Sequence, residues 1–157
     1  RQYETSLLFL SSVYGFRSLE LTDIEVGDGA IRAGIAKKGG GRRVPRIHLL
    51  PKGTELYLEG YMHHSEWTVI QAFHTLASAA GINKGYGAFH TVRRTVTTTL
   101  LLSGLSPEII TRYMSWAKSN PAPGVSPMVS TYFNLPDKEI DERVFSQHPF
   151  VKIWMLP

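Results

Sequence analysis

Glycines at positions 15, 81 and 104 each follow a run whose apolar residues recur at helical spacing, and this punctuation constrains the fold more than any other feature. Residues 5–16 place Leu7, Leu8, Leu10, Val13 and Tyr14 at that spacing and stop at Gly15. Ser18 is positioned to cap a short second helix carrying Glu20, Leu21 and Ile24. Residues 65–80 open with Ser65 as a cap, line up Trp67, Ile70, Phe73, Leu76 and Ala77 on one face, and end at Gly81. Residues 90–103 form a helix closed by Gly104, and Ser106-Pro107-Glu108 begins the next, with proline at the first helical position. That helix carries Ile109, Ile110, Tyr113 and Met114 and delivers Trp116 near its end. Residues 137–145 read as a last helix.

Strand signals are confined to one region. Gly27-Asp28-Gly29 is a turn, after which Ile31, Ala33 and Ile35 alternate with Arg32 and Gly34. Gly39-Gly40-Gly41 is a flexible tip, and Val44-Pro45-Arg46-Ile47 returns, giving a β-hairpin with lysines at its apex. Residues 56–58 add a possible third strand. The expected fold is therefore mainly α with a small antiparallel β-sheet, in a single domain spanning residues 1–157. The start at Arg1, without Met or leader, reads as a cut inside a longer protein.

The chain has no cysteine, which excludes disulfides, zinc–thiolate sites and cysteine nucleophiles. His63 and His64 are adjacent rather than four apart, so no metal site is expected, and no cofactor either. No apolar run approaches the roughly 20 residues that a membrane-spanning helix needs. The net charge of +4 is a mild bias, but Lys37, Lys38, Arg42, Arg43 and Arg46 crowd one short segment around a glycine-rich turn. That is either an ordinary solvated hairpin or a phosphate-facing surface.

The residues 90–94, His-Thr-Val-Arg-Arg, carry the most chemistry. On a helix His90 and Arg93 share a face, and an arginine fork beside an imidazole suits an anionic oxygen. Alone, such a pair is weak, as is Trp116 at a helix end. Together with their neighbours they are not. Residues 14–21, Tyr-Gly-Phe-Arg-Ser-Leu-Glu-Leu, resemble the Gly-Leu-Arg-x-x-Glu-Leu box of the tyrosine recombinase (integrase) family. Residues 36–46 resemble its basic hairpin, residues 90–94 its His-x-x-Arg box, and residues 104–116 the helical stretch that follows. Trp116 lies 23 residues after Arg93, where the family places His or Trp, and Tyr132 comes next with Thr131 before it.

The resemblance runs from Arg17 to Tyr132 and implies a catalytic domain that cuts and rejoins double-stranded DNA. Tyr132 would attack a scissile phosphate to form a 3′-phosphotyrosyl link. Arg17 and Arg93 would clamp its non-bridging oxygens, His90 would bond the phosphate or handle the tyrosine proton, and Trp116 would position both. A hairpin lysine would protonate the leaving 5′-oxygen; Lys37 matches best, with Lys38 close behind. Lys38, Arg42, Arg43 and Arg94 would grip the DNA backbone, and Glu20 would support. Residues 119–126 look inserted, so delivery of Tyr132 to a neighbouring subunit stays open. The implied working form is a homo-oligomer on DNA, commonly a tetramer with the C-terminal segment docked on a neighbour, in the cytoplasm or wherever the target DNA lies. A type IB topoisomerase or a telomere resolvase shares this chemistry. A non-catalytic module whose residues 106–116 read a DNA groove is the rival from another class. Tyr113 competes as nucleophile, but its spacing with Ile109 and Ile110 marks it as packing.

Overall fold

A computed structural model describes residues 1–34, 45–82, 87–115 and 135–157. The protein is mainly helical with one small antiparallel sheet. Helix α1 (Gln2–Tyr14) lies at the centre, packed by α2 (Glu66–Ala79), α3 (Ala88–Leu102) and α6 (Pro149–Trp154). Helix α4 (Pro107–Tyr113) packs on α3 and on α5 (Asp137–Gln147), which in turn covers the sheet. Leu7, Phe9, Leu10, Val13 and Tyr14 of α1 are all fully buried, and so is Ser6. A helix buried on nearly every side must hide its polar residues. Ser6, Ser11 and Ser12 do so by donating back to the carbonyls of Gln2, Leu8 and Phe9.

The sheet comprises β1 (Ile24–Gly27), β2 (Ala30–Ala33) and β3 (Arg46–Leu49), in that order. Asp28 and Gly29 both adopt positive φ, the two-residue turn that matches strand twist, so β1 and β2 form a tight hairpin. Ile24 thus starts a strand, where the sequence reading placed it in a helix; only a 3-10 turn, Glu20–Thr22, precedes it. The hairpin expected between β2 and β3 is present, with its apex outside the described residues. Residues 56–58, read as a strand, instead belong to a 3-10 turn, Glu55–Leu58.

Both ends of α2 match expectation, and Ser65 caps it by accepting from the Thr68 amide. Its buried stripe is Val69, Ala72, Phe73 and Ala77, where small alanines admit close approach. Trp67, expected on that stripe, is 69 % exposed. The C-terminal helix expected over 137–145 extends to Gln147, and α6 follows directly. Here α5 and α6 pack on their own chain: Arg112 reaches the Leu135 carbonyl and Asp137, and the Trp154 indole donates to Ser12.

Strand β3 inverts the usual pattern. Its register with β2 sets His48 opposite Ile31 and Arg46 opposite Ala33, so the polar residues face inward while Ile47 is exposed. His48 is neutral: burial pushes its pKa down, and its Nδ1–H donates to Asp141 of α5 at 2.8 Å. The other Asp141 oxygen accepts the Leu49 amide at 2.7 Å, closing the edge of the sheet. His148, also fully buried, donates from Nε2 to the Val13 carbonyl, and burial lowers its pKa to about 4.

Asp141→Ala leaves the Leu49 amide and His48 ring without their acceptor, at about 1–3 kcal/mol for each buried donor, and denaturant titration should show the sum. Acid should act through His148. The unfolded imidazole takes a proton near 6.5 and the folded one only near 4, so stability present above pH 6.5 is lost as pH falls through that window. The loss from this group is about 3 kcal/mol, readable from melting curves between pH 7 and 4, and His48 adds to it with the same sign.

Candidate active site at two helix ends

The last carbonyls of any α-helix lack partners within it and carry a partial negative charge. Helix α1 ends at Gly15, whose φ of 63° is the left-handed cap conformation, its amide returning to the Ser11 carbonyl. Helix α4 ends at Met114, its amide returning to Ile110. The two ends face one another, and two buried arginines bridge them. Arg46 of β3 donates from Nη2 to the carbonyls of Tyr14 and Tyr113, at 2.8 and 3.0 Å. Arg93 of α3 donates from Nη1 to Gly15 and from Nη2 to Met114, at 2.6 and 3.2 Å. Consecutive residues of both helices are therefore held by consecutive rungs of one guanidinium ladder.

One carboxylate serves this cluster. Glu20 is buried; its Oε2 accepts from the Arg17 amide at 2.7 Å and from Arg46 Nη1 at 3.3 Å, and its Oε1 lies 3.5 Å from Arg17 Nη1. The Arg17 side chain is 38 % exposed. Burial, then the charges of Arg46 and Arg17, lower the Arg93 pKa to about 9, with Glu20 opposing. A guanidinium remains charged at neutral pH even so. Glu20 is the carboxylate in contact with the three guanidiniums' cluster, and the buried Asp141 stands beyond His48, so the cluster keeps a net positive charge. The segments outside the described residues contain no Asp or Glu that might balance it.

Arg17 and Arg93, expected to converge, therefore lie in one cluster. His90 stands exposed in the first turn of α3, three residues before Arg93 on the same stripe, and Arg94 is exposed beside it. Lys37, Lys38, Arg42, Arg43, Trp116 and Tyr132 lie outside the described residues, although Trp116 follows two residues after Met114. Arg46 departs from the sequence reading. Counted there among the basic surface residues of the hairpin, it is 5 % exposed and stacked over Phe16 at 4.6 Å. The signal was the register: a strand paired with Ile31 and Ala33 must turn Arg46 and His48 inward. Tyr113 is packing, as its spacing predicts. Its hydroxyl donates to the Val13 carbonyl, and burial raises its pKa well above the ordinary phenol value.

Among the described residues no group of three or more His, Asp or Glu gathers around a point, and no helix is long and apolar enough to cross a membrane. Comparison with protein-family models, with curated proteins and with solved structures finds no match to this chain.

A Cβ on Gly15 would stand 2.5 Å from the Met114 methyl, on a backbone that L-residues rarely adopt. Gly15→Ala should cost about 1–2 kcal/mol and lower the melting temperature by about 2–8 °C. Calorimetry checks both.

Proposed function

We propose that this chain is the catalytic domain of a tyrosine recombinase, which cleaves and rejoins double-stranded DNA through a 3′-phosphotyrosyl intermediate. The observation that carries the reading is the excess of positive charge where Arg17 meets Arg93. Residues from two distant boxes, 76 positions apart in the chain, gather around one buried acid. Such a cluster gains from a bound anion, and a phosphodiester is an anion that suits a guanidinium.

In this reading the Tyr132 oxygen attacks phosphorus while the bond from phosphorus to the 5′-oxygen breaks. The phenolic proton passes to His90 or water, and Lys37, or Lys38 beside it, protonates the departing oxygen. The bond energy stays in the phosphotyrosyl link, so rejoining is the same step reversed and needs no fuel. Arg17 and Arg93 meet the charge that develops on the non-bridging oxygens, where each preplaced donor matters by several kcal/mol. Trp116 supplies an indole N–H and an apolar wall. Lys38, Arg42, Arg43 and Arg94 hold the DNA backbone, and the working form is a homo-oligomer, commonly a tetramer, on DNA.

The groove-reading alternative gains less support. Helix α4 has seven residues, turns Ile109, Ile110 and Tyr113 into the core, and commits Arg112 to Leu135 and Asp137. A recognition helix needs its basic face turned toward the groove.

Incubation with a suicide duplex, whose cleaved strand diffuses away, should trap a covalent protein–DNA adduct that Tyr132→Phe abolishes. Arg17→Ala should keep the fold, since its side chain is partly exposed, and slow adduct formation by about 100-fold or more. An adduct that persists in Tyr132→Phe sinks the assignment of the nucleophile.

A further inference from the structure

We infer that Arg46 is a positioning residue for this site: its buried fork ties the ends of α1 and α4 to Glu20, and so sets where Arg17 and Arg93 stand around a bound phosphodiester. The inference rests on the proposed function and goes beyond it, because no role at position 46 follows from the motifs that carry the resemblance.

The guanidinium makes three directed contacts that converge on the cluster. Nη2 spans the Tyr14 and Tyr113 carbonyls, and Nη1 reaches the same Glu20 oxygen that accepts the Arg17 amide. Tyr14 is followed at once by Gly15, which Arg93 holds, and then by Phe16 and Arg17. Tyr113 is followed by Met114, which Arg93 also holds. A shift of Arg46 is therefore passed to Arg17 through Glu20, and to Arg93 through both of its carbonyl acceptors. The Phe16 ring under the guanidinium at 4.6 Å limits its tilt. Among the described residues, Arg46 lowers the Arg93 pKa more strongly than Arg17 does. It is also almost wholly shielded from water, whereas Arg17 is not. An ammonium ion, with one nitrogen, cannot reproduce a planar fork that spans three acceptors.

The test compares wild type, Arg46→Lys, Arg46→Met and a surface control, Arg143→Met. Adduct formation is followed over a range of suicide-duplex concentrations, well below the lowest melting temperature. The saturated rate should fall by about 100-fold in Arg46→Lys, and at least as far in Arg46→Met, as a misplaced reacting group predicts. The half-saturating duplex concentration should stay near that of wild type, because the hairpin and the exposed α3 residues still grip DNA. Loss of stability alone would not separate these two quantities. Should Arg46→Met fail to fold, Glu20→Gln keeps the side-chain shape, removes the charge that Arg46 holds, and should show the same split. A wild-type saturated rate in folded Arg46→Lys overturns the inference and leaves the recombinase reading intact. If wild type itself forms no adduct, both fall together.

Discussion

The open end of α1 is what the rest of the molecule is arranged around. Three successive carbonyls there, Val13, Tyr14 and Gly15, accept from side chains of four other elements: Tyr113 of α4, His148 at the start of α6, Arg46 of β3 and Arg93 of α3. Each orphan acceptor of a buried helix end needs a donor, and water does not reach this one. Meeting that need with side chains from distant segments makes the helix end a hub. Sheet, α3, α4 and the C-terminal helices are all fastened to it.

The hub is also where the charge collects. Two guanidiniums removed from water are costly unless hydrogen-bonded and paired, and the negative ends of two helices with Glu20 offset that cost only in part. A structure optimised for stability alone would fill the space with apolar side chains of the same volume. Retaining Arg46 and Arg93 there makes sense if the remaining positive potential is used. Under the proposed function, an incoming phosphodiester would meet donors whose orientation is settled during folding, which would leave little reorganisation for the moment of reaction.

Local pattern was enough for much of this architecture. The stops at Gly15, Gly81 and Gly104, the Ser65 and Ser106 caps and the proline at position 107 all mark real boundaries, because each acts through neighbours within one helical turn. Failures occurred where a segment is short and its partner decides its state. Ile24 became a strand because Asp28-Gly29 folds it onto β2, and residues 56–58 became a 3-10 turn beside α1. Of the candidate site, Arg17 and the His90–Arg93 spacing were legible as motifs. Arg46 was not, since a basic residue in a basic run has no mark that distinguishes an inward from an outward position until register is known. Asp141 was equally silent; its partners His48 and Leu49 lie more than 90 residues away.

What the amino-acid order settled by itself was therefore the helix plan and the absence of thiol chemistry, together with the set of residue types on which the proposed function draws. Tertiary structure alone decided that α1 and α4 end face to face, that β3 turns its polar side inward, and that one glutamate pairs with Arg17 and Arg46 beside Arg93. The division has a simple physical origin. Propensity, capping and turn chemistry are set within a few residues, whereas charge clustering and burial depend on which distant segments share the same small volume of low dielectric.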